Sequence, residues 1–219
     1  MRNPKDIRKY ASILVLRELL QEAPIITFTN IFAGDDGDGT FNLIWELIRD
    51  KNDDIRHETL KFFDEAIKQI SARELKMQNE SNWLLKIYTL IKRGFQATEL
   101  NAIIGNIVIL KCLLKYSGSD TFIQHMVTIA HYILKQRKLS DINIKRAVIE
   151  SLPALARYNP GVFATESFST AFKFLIKETQ NRKMAANISV CYKTLSSIFS
   201  TVNKQFLKKK VKVLIKNLN

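Results

Sequence analysis

Glycine, proline and cysteine are all scarce in this sequence. Its 219 residues include 7 Gly, 4 Pro and 2 Cys. Glycine and proline interrupt helices and collect in turns, so their scarcity favours a nearly all-helical chain over a β-rich or disordered one. Each cysteine, Cys112 and Cys191, lies inside an apolar helical stretch. We therefore expect two buried thiols in a reducing compartment, with no disulfide between them.

Long apolar runs and export signals are also missing. No window approaches the roughly 18 uncharged apolar residues of a membrane span. The first residues, Met-Arg-Asn-Pro-Lys-Asp, lead into a charged amphipathic pattern that lacks the features of a secretory signal. We therefore expect a cytoplasmic or nuclear protein without a transmembrane segment.

Catalytic motifs are absent as well. The three histidines, His57, His125 and His131, have no Cys-x-x-Cys or similar zinc spacing around them. The sequence has no phosphate-cradling Gly-rich loop, no Gly-x-Ser-x-Gly elbow and no kinase signature. It thus predicts no catalytic residue, no cofactor and no metal site.

One acidic, glycine-rich loop, Gly34 to Gly39, invites a calcium hypothesis. An EF-hand loop that starts at Asp36 would place Phe41 where glycine is required, and no glutamate closes it. We therefore interpret this loop as a mobile surface insertion.

What the sequence does contain is a helical apolar period, seen best from Ser140 to Phe163. Ser140 or Asp141 can cap a helix whose apolar residues recur at helical spacing. These residues are Ile144, Val148, Leu152 and Leu155. A second amphipathic helix precedes it and ends in the basic run 135–138. A HEAT-type repeat typically consists of a helix, a tight turn and a second helix. The second helix begins with an aliphatic residue followed by a basic one.

This unit recurs along the chain. The positions equivalent to Ile144 are Ile7, Ile55, Ile103 and Met184, at intervals of 48, 48, 41 and 40 residues. HEAT and armadillo units repeat at about 40–47 residues. The pattern predicts an all-α fold, an α-solenoid of antiparallel helix pairs wound into a right-handed superhelix. Its predicted parts are a half repeat at 5–22, repeats at about 41–71, 82–117, 119–158 and 165–200, and a half repeat at 203–219.

Both predicted half repeats leave an apolar stripe that a neighbouring repeat would cover. In the first helix the predicted buried face consists of Ile7, Ala11, Leu14, Val15 and Leu19. In the last, it consists of Leu207, Val211, Leu214 and Leu218. Since solenoid repeats bury their apolar edges against one another, we expect self-association or fraying at the ends.

Two stretches resemble the N-terminal HEAT region of target-of-rapamycin (TOR) kinases. Residues 9–19, Lys-Tyr-Ala-Ser-Ile-Leu-Val-Leu-Arg-Glu-Leu, are similar to a Tyr-Ala-x-x-Leu-Val-Leu-x-Glu-Leu stretch of that family. Residues 152–163 are similar to its Leu-Pro-x-Leu-Ala-x-(aromatic)-x-Pro-x-x-Phe stretch. The resemblance implies a non-catalytic scaffold that helps to dimerise the kinase and docks adaptor subunits such as raptor. It carries over no functional residue, so the partner-binding residues stay unassigned. The acidic loop departs from the family pattern.

The net charge of +13, with a pI of about 9.7, has two interpretations. An electropositive surface would suit nucleic acid or anionic lipid. Alternatively, lysines simply fill the solvated helix faces, which their spread along the whole chain favours.

The leading hypothesis is a protein-binding scaffold that contacts an adaptor or further HEAT repeats, and the alternative is a helical-repeat nucleic-acid-binding protein. One continuous basic groove would favour the alternative, whereas scattered cations would favour the scaffold. A nuclear-transport adaptor that grips basic signals would need an acidic inner face, which the basic balance disfavours.

Overall fold

The computed structural model describes residues 3–22, 26–27, 31, 37–74, 83–118, 120–181, 185–202, 206–207 and 210–211. These residues are overwhelmingly helical and none of them forms a β-strand, as the all-α prediction required. The longer helices are α1 (Pro4–Glu22), α2 (Gly37–Glu46), α3 (Asp53–Glu74), α4 (Trp83–Arg93), α5 (Leu100–Tyr116), α6 (Met126–Gln136), α7 (Ile142–Tyr158), α8 (Phe168–Thr179) and α9 (Ala185–Thr201).

The chain divides into two compact units, residues 1–116 and 117–219. In the first unit, α1, α4 and α5 all pack against α3. The α3 side chains that make this core are fully buried, and they are Ile55, Phe62, Phe63, Ala66, Ile67 and Ile70. Helix α2 continues into a 3₁₀ turn, Leu47–Arg49, that lies against α3 and α5. The described helices of the first unit thus pack around α3.

Glycine at position 105 permits the close approach of α5 to this 3₁₀ turn. A Cβ at Gly105 would lie 3.3 Å from the Ile48 side chain, tighter than ordinary van der Waals contact. Ile48 is 1% exposed, so it has little room to move away. The small residue therefore sets the distance between the two elements.

In the second unit, α7 is the central helix and packs against α6 and α9, while α8 packs against α9. All four residues of its predicted stripe are fully buried, which confirms that pattern: Ile144, Val148, Leu152 and Leu155. Of the two candidate caps, the structure selects Asp141. Its carboxylate accepts hydrogen bonds from the backbone N–H groups of Asn143 and Ile144, each at 2.9 Å, and so satisfies donors that the first helical turn leaves open.

The connection between α7 and α8 is more helical than the sequence predicted. The last full repeat is predicted to start at about residue 165, but the chain is already helical from Pro160, and a π-helical segment, Phe163–Ser167, leads into α8. Asn159 ends α7 and caps the next turn, since its side chain accepts a hydrogen bond from Val162 N–H at 3.0 Å. Pro160 follows as the first helical residue, where its missing N–H costs nothing.

The predicted buried face of α1 is wrong. Ile7, Val15 and Leu19 are 51%, 57% and 45% exposed, whereas the buried residues of α1 are Ile13 and Leu20. Both faces of this helix carry aliphatic side chains, and α3 packs against the other one. Among the repeat anchors, Ile55, Ile103 and Ile144 are buried as expected, and Ile7 is not.

Several predicted features lie outside the described residues. They are the anchor Met184, the first part of the acidic loop (34–36), and Leu214 and Leu218 of the last predicted stripe. Gly37 to Gly39, the end of the acidic loop, begin α2. Of the last stripe, Leu207 is 9% exposed and Val211 is half-buried.

Candidate functional site

The described part of the chain contains neither a candidate metal site nor a candidate membrane-spanning helix. Within it, no group of three or more His, Cys, Asp or Glu side chains could hold a metal ion. No helix there is both long and apolar enough to cross a membrane. Of the three histidines, His57 and His131 are exposed and His125 is half-buried.

The two cysteines are buried, free thiols, as the sequence predicted. The Cys112 Sγ–H group donates a hydrogen bond to Asp64 Oδ1 at 3.1 Å. Burial, followed by the negative charge of Asp64, raises the pKa of Cys112 far above its usual value. Burial and Glu178 likewise raise the pKa of Cys191 to about 11. Because the thiolate is the reactive form, neither residue is suited to act as a nucleophile at neutral pH.

The first candidate surface is an apolar row on α1, which we name the α1 stripe: Ile7, Ala11, Val15 and Leu19. Successive members are four residues apart, so they lie along one face of the helix. All four are exposed. Single exposed aliphatic residues are ordinary, but a contiguous apolar row commonly marks a contact surface.

Two ion pairs join α1 to other segments of the first unit. Lys9 Nζ lies 2.6 Å from Asp50 Oδ2, and the Arg17 guanidinium donates to the carboxylate of Glu58 on α3. Glu58, whose side chain is 8% exposed, also accepts from Lys61 at 2.7 Å. Burial alone would raise the pKa of Asp50, but hydrogen bonds from Lys9 and from Asn52 N–H outweigh it and lower that pKa. Lys9 and Arg17 lie on the same helix face as the buried Ile13, so these ion pairs accompany the packing of that face.

The second candidate surface follows from an uneven distribution of charge. Each unit contains 17 Lys and Arg residues, but residues 1–116 contain 16 Asp and Glu and residues 117–219 contain only 5. The formal net charges are thus +1 and +12. The excess positive charge of the protein lies almost entirely in the second unit, and it arises from missing acids rather than from added lysines.

Six of these cations line one open groove, which we name the basic groove. Its walls come from α6, the turn after it, the start of α7, and α8 together with the π-helical segment before it. The groove has two adjoining parts of about 440 and 380 Å³ that share Arg137, Lys138 and Thr170. The lining cations are Lys135, Arg137, Lys138, Lys145, Lys173 and Lys177, against the carboxylates of Glu166 and Glu178.

At the floor of the basic groove, Lys145 and Glu178 form a buried ion pair. Lys145 Nζ donates to Glu178 Oε1 at 2.7 Å, and the two side chains are 13% and 2% exposed. The second carboxylate oxygen, Oε2, is buried and has no hydrogen-bond partner among the described residues. In the same part of the chain, no carboxylate pairs with Lys135, Lys138, Lys173 or Lys177. Four of the six cations are therefore available to an anionic ligand.

Sequence reasoning missed both surfaces. It assigned the α1 stripe to the core, and it treated the lysines as evenly spread without counting the acids beside them. The depletion of Asp and Glu after residue 116 is the signal that would have located the basic unit.

Comparison with known proteins gives a distant similarity to a protein kinase. No protein-family model matches the chain. The chain is 23% identical over 204 residues to the Serine/threonine-protein kinase tor1 of Schizosaccharomyces pombe. The match covers 93% of this chain and 8% of the length of that kinase. The similarity supports a TOR-related region.

In the second stretch that resembles TOR kinases, the shared residues have structural tasks. Leu152, Leu155 and Ala156 are fully buried, and Phe163 is 1% exposed. The Tyr158 hydroxyl accepts a hydrogen bond from the backbone N–H of residue 122 at 2.6 Å and donates one to the carbonyl of residue 118 at 2.9 Å. These residues hold helices and loops together rather than form a chemical site.

Proposed function

We propose that the chain is a section of a TOR-related HEAT-repeat scaffold that binds proteins and catalyses no reaction. In this proposal the helix pairs continue as a right-handed α-solenoid with the repeat boundaries given above. The partners are a TOR-complex adaptor such as raptor, or further HEAT repeats.

The observation that carries this proposal is the period of the contacts between neighbouring helices. The Arg17–Glu58 pair joins α1 to α3 across 41 residues, and the Cys112–Asp64 hydrogen bond joins α3 to α5 across 48. The Thr194 hydroxyl donates to the Ile149 carbonyl, which joins α7 to α9 across 45 residues. Each of these helices is the second member of a predicted repeat, and 41 to 48 residues is about the length of one repeat. The packing of α3 on α1 and α5, and of α9 on α7, thus supports a repeat architecture.

The α1 stripe is the surface that the proposal assigns to protein contact. It lies on the outer face of a helix whose other face is already packed on α3. Burying a Val- or Leu-sized side chain is worth about 1.5–3 kcal/mol, so the row offers several kcal/mol to a protein that covers it.

The test is binding of the purified chain to the purified raptor-type adaptor of the same organism, measured by biolayer interferometry. Val15→Asp combined with Leu19→Asp should weaken binding at least about tenfold, because charges on a covered apolar surface stay unpaired. The matched control is Ile123→Asp with Tyr192→Asp, at two apolar residues of the second unit that are 50% and 59% exposed. Absence of adaptor binding, or equal losses in both double variants, would contradict docking through the α1 stripe.

A further inference from the structure

We propose that the basic groove binds an acidic segment of a partner protein, a short extended peptide that carries several Asp or Glu side chains and one aliphatic residue. This proposal is independent of the α1 stripe, since it concerns another unit and another kind of contact.

Charge is the first argument. The unit of residues 117–219 has a formal net charge of +12, and six of its cations converge on this groove. Several of them have no carboxylate partner in the described part of the chain. In the first unit, by contrast, Lys9, Arg17, Lys61 and Lys68 each pair with an acid. A concave surface lined by unpaired charges of one sign attracts ligands of the other sign.

Apolar side chains lie among the cations in one part of the groove. That part is lined by the exposed Val127 and the mostly buried Leu134, together with Lys135 and the shared Arg137 and Lys138. The other part adds Lys145, Lys173 and Lys177 around the buried Glu178. A ligand that complements this lining carries several carboxylates and one aliphatic group. This combination is ordinary for a peptide segment.

The dimensions fit a few residues of extended chain. From Val127 to Lys135 the α6 wall rises about 12 Å at about 1.5 Å per residue. An extended peptide advances about 3.3 Å per residue, so about four residues fit along this wall. The volumes of about 440 and 380 Å³ lie within the range of sites that enclose small ligands.

Single-stranded nucleic acid is the competing anionic ligand, and the lining suits it less well. Such strands bind by stacking their bases on aromatic side chains beside a basic track. Among the described side chains, the aromatic rings that line the groove are Phe174, which is only 6% exposed, and the exposed imidazole of His131. One open ring does not form the row of stacking platforms that such strands use.

The experiment measures fluorescence anisotropy of a labelled hexapeptide, one leucine followed by five alternating aspartates and glutamates, titrated with the full chain. The reference ligand is the same peptide with asparagine and glutamine in place of the acids. We expect the acidic peptide to bind and the neutral one to bind at least about tenfold more weakly. Binding should weaken as ionic strength rises, because salt screens exposed charges.

The variant Lys173→Glu with Lys177→Glu should weaken acidic-peptide binding at least about tenfold through unfavourable charge in the groove. Both lysines are exposed, so the fold should persist, which circular dichroism checks. The control is Lys92→Glu with Arg93→Glu, which makes the same change in net charge at exposed residues of α4 and should cost less than about twofold.

Three results would overturn the proposal. Equal binding of the acidic and neutral peptides would show that carboxylates are not recognised. Equal losses in the two double variants would show attraction by net charge alone. A 20-nucleotide single strand or phosphatidylserine vesicles that bind more tightly than the peptide, with the same sensitivity to Lys173 and Lys177, would assign the groove to nucleic acid or to membrane.

Discussion

The Lys145 ammonium group lies 2.7 Å from a carboxylate oxygen of Glu178, and water reaches neither charge freely, since the side chains are 13% and 2% exposed. Lys145 lies in the first turn of α7 and Glu178 in the last turn of α8. The pair therefore joins the start of one helix to the end of another at the floor of the basic groove. Burying two charges costs much of what their attraction returns, so the pair is a means of positioning more than a source of stability.

We predict that Lys145→Met destabilises the protein by about 3–5 kcal/mol, because it leaves the buried Glu178 carboxylate without its counter-charge. The double variant Lys145→Met with Glu178→Leu should recover most of this loss. Urea denaturation followed by circular dichroism measures both. The control is Arg146→Met, which breaks the adjacent exposed pair with Glu150 and should cost less than about 1 kcal/mol. A single-variant loss as small as that of the control would mean that the pair is solvated.

Leu152 provides a test of the second-unit core. It is fully buried in the centre of α7, so Leu152→Ala should cost about 2–5 kcal/mol through lost burial and the cavity left behind. Ile142→Ala, at the exposed start of the same helix, is the control and should cost much less. Urea denaturation again gives the comparison. A loss below about 0.5 kcal/mol at Leu152 would show that the helix stripe is assigned to the wrong face.

The contrast between α7 and α1 shows what the sequence pattern could and could not predict. On α7 the aliphatic residues occupy one face and charged residues the other, so the helical period alone identifies the core side. On α1 the row Ile7, Val15 and Leu19 competes with Ile13 and Leu20, and periodicity cannot choose between them. The choice is made in the tertiary structure, by packing on α3 and by pairings about 41 residues away with Asp50 and Glu58, which no local pattern encodes.

Local sequence patterns do not predict the basic groove either. Its cations come from α6, the turn after it, α7 and α8, and only tertiary packing brings these segments together. What the sequence could have shown is the composition of the unit, since only five acids follow residue 116. The N-cap of α7 is predictable only in part. The sequence offers Ser140 and Asp141 as caps, and the hydrogen bonds that Asp141 accepts from the first turn identify it as the cap.

The cysteines give a prediction about pH. The pKa of Cys191 is raised from 9.0 to about 11, first by burial and then by the Glu178 charge. The unfolded chain therefore loses this proton before the folded chain does. The resulting stabilisation is complete below pH 9 and is lost as the pH rises through about 11. Cys191→Ala should accordingly show a shallower loss of stability across this interval, measured by urea denaturation at pH 8, 9 and 10. An unchanged slope would contradict the assignment.

The same burial predicts slow chemistry at both thiols. At pH 8, iodoacetamide should alkylate Cys112 and Cys191 at least about tenfold more slowly in the native protein than in urea, because the reagent needs an exposed thiolate. Peptide mass spectrometry measures each site separately, and free glutathione reports the activity of the reagent. Equal native and denatured rates at either site would contradict its burial.

The last prediction concerns the α1 stripe in the absence of any partner. Ile7, Val15 and Leu19 are all about half exposed or more, along one face of a helix that Lys9 and Arg17 hold in place. Since water contact with such a row is unfavourable, a second copy of the chain should cover it at high concentration. Sedimentation velocity should show a larger species that grows with protein concentration, and Val15→Asp should shift it to monomer without loss of helicity. Ile123→Asp should leave the association unchanged, because that apolar residue is not part of the α1 stripe. A wild-type chain that stays monomeric at high concentration would show that the stripe is too small to drive association alone, and an association that persists in Val15→Asp would place the contact elsewhere.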